Sequence, residues 1–301
     1  MHFKKIEEKK KSLDNIYLRV NNEKNILLIE IMKLSKKLHF YVKNALNNKH
    51  LISQLKTEYS VKNKFIQNRN ILNNAFSQKI KSFFVKPKQL WIYLTEEQKH
   101  STDSYTRYEQ MMLKNIKKNE AEFILIGDRA IEFGKNNKLQ IIRQYTSEQR
   151  NQNLENELAF LVKYLYADGN YESVRFVISS NKNFKDAFTI LPLEKFDVYK
   201  FTNTNEAIEK VNIKDYLIFP DLQSFIDSEI NIFLTNSIHA LMIESYFYNA
   251  KNKLITTNQI IKQLDEDILK LSKKIIKFKR EKEIEDIVMF FRKNKKSSED
   301  A

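Results

Sequence analysis

Histidines, paired carboxylates and glycine-rich turns are the features through which this chain could do chemistry, and each is too thinly spread to form a site. The five histidines (His2, His39, His50, His100 and His239) are scattered, and none stands at metal-ligand spacing from another histidine or a carboxylate. Cysteine is absent, which removes a thiolate nucleophile, a disulfide frame and a cysteine zinc site. Ile126-Gly-Asp-Arg129 sets one glycine after an apolar run, but no further phosphate-loop glycines follow. A tight strand-to-helix turn with Asp128 at the helix start accounts for it. Glu96-Glu97 is a carboxylate pair without a supporting base. Asp265-Glu-Asp267 lies between seam residues Leu264 and Ile268 and reads as a solvated helix face. No nucleophile motif surrounds any serine or threonine. The expectation is therefore no catalytic residue, no cofactor-binding residue, no metal site and no cofactor.

The elements that would position a site are marked by what interrupts them. The chain has 301 residues, 42% apolar and 30% charged, enough to fold around a sizeable core. It contains three glycines and three prolines, all between Pro87 and Pro220. These are the main helix breakers, so long helices are expected at both ends and turns in the middle. Four segments result: a shaft-helix region at 1–86, an α/β domain at 87–220, a second shaft helix at 221–291, and a disordered tail at 292–301. Charge divides similarly. Residues 1–86 carry 19 Lys/Arg against 6 Asp/Glu, whereas the two later parts are nearly balanced. A basic helix of this kind calls for an acidic partner, a nucleic acid or a membrane surface.

Both ends carry heptads. In the first, Leu13, Tyr17, Val20, Lys24, Leu27, Ile31, Leu34, Leu38, Tyr41 and Ala45 follow alternate steps of four and three. In the second, the same step runs from Ile243 through Phe247, Ala250, Leu254, Thr257, Ile261, Leu264, Ile268, Leu271 and Ile275 to Phe278. Ile284, Ile287, Val288 and Phe291 resume the apolar face after a break in register. Each seam needs a partner, and an antiparallel coiled coil of the two helices is the simplest solution. Residues 49–86 also read mostly as helix, through Leu51, Leu55, Tyr59, Ile66 and Ile71, with an Asn-rich interruption at Asn68–Asn74.

Between the ends the period shortens. Leu90–Leu94, Phe123–Ile126, Leu139–Ile142, Val174–Ile178 and Phe188–Leu191 read as strands, and Asp103–Lys118, Asp128–Asn136 and Leu154–Tyr166 as helices. Alternating strand and helix predicts a small, Rossmann-like, largely parallel sheet covered by helices. The fold class is α/β, with a long antiparallel coiled coil of N- and C-terminal helices around that domain.

Several short motifs, taken in order, resemble the gamma or central-shaft subunit of rotary F-type ATPases. Lys11-Ser-Leu-Asp-Asn15 is similar to that family's K-S-V-x-N. Glu30 and Ser35-Lys36 match the E and S-K of M-E-M-V-A-A-S-K across a short insertion. Ile124-Leu-Ile-Gly-Asp-Arg129 resembles its I-G-x-[KR]-G turn. Val177-Ile-Ser-Ser-Asn-Lys182 and Leu191-Pro-Leu193 are similar to its later strand motifs. Tyr216–Asp221 stands where Y-x-x-E-P-[DS] enters the last helix. The family's D-R-G-L-C-G is replaced by Thr95–Asp103, its Arg-Gln by Ile276-Lys277, and its C-terminal signature keeps only Glu283 and Asp286. Arg280, Glu281, Phe290 and Phe291 fill other positions of that signature.

This resemblance implies a divergent, non-catalytic rotor subunit of an ATP-hydrolysing complex. It would thread a hexamer of alpha- and beta-like subunits, with an epsilon-like stalk subunit as a further candidate partner and no nucleic acid. The setting implied is cytoplasmic, at the inner face of the membrane at most. F-type-like complexes of wall-less bacteria extend the implied tasks to non-synthase work such as gliding motility. Residues implied to contact the hexamer are Lys4, Lys5, Lys9, Lys10 and Lys11 with Glu283, Ile284, Asp286, Ile287 and Phe291. The competing reading is a basic coiled-coil protein that binds nucleic acid or serves as a scaffold; a nucleotide-binding enzyme is a third. No apolar run approaches the ~20 residues of a membrane span, and MHFKKIEEKK lacks the apolar stretch of a signal peptide.

Overall fold

A computed structural model describes residues 2–67, 87–97, 105–116, 120–149, 153–169, 171–180, 186–196 and 213–299. Helix α1 spans His2–Tyr59. It is followed by β1 (Lys88–Leu94), α2 (Tyr105–Asn115), β2 (Ala121–Ile126), α3 (Asp128–Asn136), β3 (Gln140–Tyr145), α4 (Leu154–Asp168), β4 (Tyr171–Val177) and β5 (Phe188–Leu191). Helix α5 closes the order at Leu222–Glu299. The chain divides into two compact units, residues 31–250 and residues 1–30 with 251–301.

The larger unit is built on one five-stranded sheet in the order β3-β2-β1-β4-β5. β1 pairs in parallel with both β2 and β4, β2 with β3 likewise, and only β5 is antiparallel to its neighbour. Every strand expected from the sequence is present. The strand period of two sends alternate side chains to opposite faces. Leu90, Ile92, Leu94, Ile124, Ile126, Val174 and Phe176 face one cluster together with Val42, Ile52, Leu158, Val162, Phe233 and Leu241 from α1, α4 and α5. Trp91, Tyr93, Phe123 and Leu125 face a second cluster with Tyr108, Met112, Ala130 and Phe133 from α2 and α3. The result is a three-layer domain, doubly wound, with the change of direction between β1 and β4. Gly127 makes the turn from β2 into α3 with a positive φ of 99°, a conformation open to glycine at no steric cost.

Glu122 ties the strands together at the opposite, amino end of the sheet. Its carboxylate accepts hydrogen bonds from Lys88 of β1, Gln140 of β3 and Tyr171 of β4. Burial alone would raise its pKa, but the bonds from Lys88 and Tyr171 outweigh it and hold the carboxyl below its ordinary value. The same pairing, after burial, pushes the Tyr171 phenol well up.

Within this unit α1 and α5 run antiparallel. Tyr41 stacks on His239 with ring centroids 4.6 Å apart. Seven residues further along α1, the Asn48 amide donates to Glu229 at 2.7 Å and its oxygen accepts from Asn236 at 3.1 Å. Burial holds the His239 imidazole below its ordinary pKa. Helix α5 starts after Pro220, where Asp221 accepts from the Ser224 backbone N–H at 2.9 Å as an N-cap.

Two sequence expectations fail here. The helix expected over residues 49–86 stops at Tyr59, because Ser60 takes a left-handed conformation (φ 52°) that ends it without a glycine. Ile66 then lies in the core beside Phe65, whose carbonyl accepts from Leu193 N–H at 2.9 Å. Ile71 and Asn68–Asn74 lie outside the described residues. At the other end α5 runs to Glu299, through the stretch read as a disordered tail from Arg292; no glycine or proline stands there to stop it.

In the smaller unit the seam residues are those the heptads name. Leu13, Tyr17, Val20 and Lys24 are half-buried and Leu27 is buried. Thr257 is buried, and Leu254, Ile261, Leu264, Ile268, Leu271, Ile275 and Phe278 are half-buried. The residues between them are mostly exposed. Phe3 of α1 packs edge-on against Phe278 of α5 at 6.3 Å. The first turn of α1 therefore meets the last heptad position of α5, which requires antiparallel pairing.

Burial sets two expected stabilities. Leu241 is fully buried, so Leu241→Ala should cost about 2–5 kcal/mol. Leu264 is half-buried, so Leu264→Ala should cost less than about 2 kcal/mol, both read from urea unfolding. Glu122 gives a pH signature. A carboxyl held below its unfolded value contributes stability that is present above pH ~4.5 and lost as pH falls through the folded pKa. Glu122→Gln should destabilise at pH 7, and its deficit against the natural chain should shrink as pH falls below ~4.

Candidate partner-contact site

The residues expected to meet a partner all belong to the smaller unit, and the structure brings part of them together. On α1, Lys4, Lys5, Lys9 and Lys11 are exposed, and Lys10 is half-buried in an ion pair with Asp14 one turn on, at 2.8 Å. The Phe3–Phe278 contact seats this lysine-bearing start beside the end of the α5 seam.

Beyond that point the character of α5 changes. Every residue from 279 to 292 is exposed. Ile284 is 61% exposed, Ile287 55% and Phe291 68%, with Val288, Met289 and Phe290 also open. Ile284, Ile287, Val288 and Phe291 follow the spacing of one helix face. Glu283 and Asp286 are exposed between them, and the one ion pair described nearby joins Lys277 to Glu281 at 3.7 Å. The apolar face thus resumes as the sequence indicates, but no residue of this chain covers it among the described residues. Six large apolar side chains in eight consecutive positions is more than an isolated surface residue or two.

The basic excess of residues 1–86 is unevenly spread. Residues 1–30 hold 7 Lys/Arg and 5 Asp/Glu, whereas residues 31–86 hold 12 and 1. The basic excess begins in the part of α1 that belongs to the larger unit, where Lys33, Lys36, Lys37 and Lys43 are exposed. The antiparallel stretch of α5, residues 222–250, contains Asp227, Glu229 and Glu244 and no Lys or Arg. In the structure Asp227 pairs with Lys163 of α4, Glu229 accepts from Asn48 and Glu244 from Ser180.

The residues weighed for chemistry have other employment. Glu96 accepts a hydrogen bond from the Ser245 hydroxyl of α5. Arg129 holds Glu109 through two bonds of 2.8 and 3.1 Å, and Glu109 accepts from Tyr93. Asp265 and Glu266 are exposed and Asp267 pairs with Lys270 at 3.5 Å. His39 is exposed, and His100 lies outside the described residues. Among the described residues no group of three His, Cys, Asp or Glu could hold a metal ion, and no helix is long and apolar enough to cross a membrane. Sequence reasoning missed Phe3, whose position one heptad turn ahead of Lys10 and Leu13 was the available signal.

Lysine by lysine, this surface should be tolerant. Each of Lys4→Ala, Lys5→Ala, Lys9→Ala and Lys11→Ala should shift the stability of the isolated chain by no more than about 0.5 kcal/mol. Phe278→Ala should instead speed hydrogen exchange at the amides of residues 3–10 by removing the contact that seats them.

No family model matches the chain. Among solved structures it is similar to the rotor of the Euglena gracilis mitochondrial ATP synthase, at 10% identity and a TM-score of 0.38, covering 87% of this chain and 99% of that one. It is also similar to a chain of the central stalk and c-ring of the Tetrahymena thermophila mitochondrial ATP synthase, at 14% identity and a TM-score of 0.39, covering 78% and 99%. An uncharacterized protein of Ureaplasma parvum is 44% identical over 295 residues, spanning 98% of this chain and 95% of that relative. At that identity over nearly the full length of both, the chain belongs to the same family as this Ureaplasma protein.

Proposed function

We propose that the chain is a gamma-like central-shaft subunit of an F-type-like ATPase, without catalytic activity of its own. The observation that carries this is the exposed apolar face at Ile284, Ile287, Val288 and Phe291, standing past the end of a two-helix seam. A helix end of this composition needs a protein sleeve, and alpha- and beta-like ATPase subunits would supply it. The ordered motif resemblance and the layout of two seam-bearing helices flanking an α/β domain support the same reading. In it, Ile284, Ile287 and Phe291 seat in the sleeve, Glu283 and Asp286 bond to its moving domains, and Lys4, Lys5, Lys9, Lys10 and Lys11 contact its rim. An epsilon-like subunit is a further partner, and non-synthase work such as gliding motility is the load this reading favours.

Co-purification tests it. The tagged full chain should bring down alpha- and beta-like partners in fixed stoichiometry, with ATPase activity in the complex and none in the chain freed of them. Truncation after Arg280 leaves the Phe3–Phe278 contact intact and should weaken that assembly or uncouple its hydrolysis from rotation. A truncated chain that assembles and turns normally would remove the sleeve contact.

One observation favours the second reading, nucleic-acid binding. Residues 31–57 carry six lysines and no carboxylate, and Phe40, 58% exposed, stands among Lys36, Lys37 and Lys43. Nucleic acid retained by the purified chain, with a steep loss of affinity as salt rises, would decide for it.

A further inference from the structure

The carboxyl ends of β1 and β4 form the point at which a doubly wound sheet ordinarily opens a crevice for its ligand. Here two loops leave that point, Thr95-Glu96 after β1 and Ile178-Ser179-Ser180 after β4, and two neighbouring residues of α5 meet them. The Ser180 hydroxyl donates to the Glu244 carboxylate at 2.7 Å, and the Ser245 hydroxyl donates to Glu96 at 3.1 Å. Each loop is fixed in turn by a tyrosine of α2. Glu96 N–H donates to the Tyr105 hydroxyl at 2.9 Å, and Ser180 N–H donates to the Tyr108 hydroxyl at 3.0 Å.

The place is dry. Ser179, Ser180, Ser237 and Ser245 are fully buried and Glu244 is 2% exposed. Ser237 lies seven residues before Glu244 and so shares its helix face. The Ser179 and Ser237 hydroxyls are buried with no hydrogen-bond partner among the described residues. Apolar packing holds α5 to the sheet elsewhere, through Ile226, Phe233, Leu234 and Leu241. Among the described residues, the contact at the switch point is the one made by a buried carboxylate and hydroxyls, at the desolvation cost such groups carry.

We propose that this crevice holds the chain's own helix as its ligand, with the Glu244 carboxylate bound by the Ser180 hydroxyl and Ser245 bound by Glu96, and that this clasp is the polar, orienting part of the α/β domain's grip on α5. Its mechanical meaning, a joint that passes force from the domain to the shaft, rests on the shaft reading; the clasp itself does not. A directional pair of hydrogen bonds on consecutive residues adds to the apolar packing in fixing the rotation of the helix about its axis.

The test uses the full chain without partners, so its failure leaves the shaft reading standing, and failure to find ATPase partners leaves the clasp standing. Glu244→Ala should lower Tm by about 5–10 °C, and acetate or formate, but not chloride, should restore part of that loss by entering the vacated carboxylate position. Ser180→Ala with Ser245→Ala keeps the carboxylates and removes both bonds. It should speed amide exchange at residues 240–249 by about tenfold while leaving residues 226–234 unchanged. If Glu244→Ala does not fold, the double variant decides. Unchanged exchange at residues 240–249 in the double variant, or a folded Glu244→Ala chain that small carboxylates do not restore, overturns the clasp.

Discussion

Helices of 58 and 78 residues carry apolar seams that water will not tolerate along their whole length, and pairing those seams is the constraint from which the rest follows. In residues 31–250 the pairing is deep, because the sheet lies behind it and Val42, Ala45, Ile52 and Leu55 of α1 are fully buried. In residues 1–30 and 251–301 the two helices have only each other among the described residues, and most heptad positions are half-buried, Leu27 and Thr257 excepted. One sequence pattern thus gives two levels of stability. What separates them is the number of elements that share the seam.

The paired stretches differ in charge. A stretch of α1 with six lysines and no carboxylate lies antiparallel to a stretch of α5 with carboxylates and no base. Of these carboxylates, Glu229 meets Asn48 of α1, whereas Asp227 pairs with Lys163 and Glu244 with Ser180. Asn48 adds a directional element. Bonded to both Glu229 and Asn236, it fixes the register at one height, where a purely apolar seam could slide by a heptad.

Periodic features were legible from residues alone. The heptads from Leu13 to Ala45 and from Ile243 to Phe278 give the seam because a 3.5-residue repeat has one geometric meaning. The strands were legible because apolar runs stood between the few glycines and prolines. The end of α1 was not, since the stop at Ser60 depends on a left-handed residue of ordinary type and on Phe65 and Ile66 being drawn into the core. Of the candidate site, the apolar residues at 284–291 were legible as a face. That no described residue covers them was not, because a resumed apolar pattern looks the same whether its partner is internal or external.

The clasp at the switch point was out of reach of any local pattern, and the reason bears on what such a domain is for. Ser180 and Glu244 are 64 residues apart, and Glu96 and Ser245 are 149 apart. Glu96 showed in the sequence only as half of a carboxylate pair without support; its support is a hydroxyl on the last helix. The absence of a glycine-rich phosphate loop fits a crevice whose occupant is a helix, because a helix bearing a serine and a glutamate needs hydroxyl and carboxylate partners, and a phosphate needs backbone N–H groups. A doubly wound sheet without a nucleotide motif then has a physical reading of its own. Its carboxyl edge, the place where the fold offers unpaired polar groups in a fixed array, serves to hold a long helix at one rotational setting.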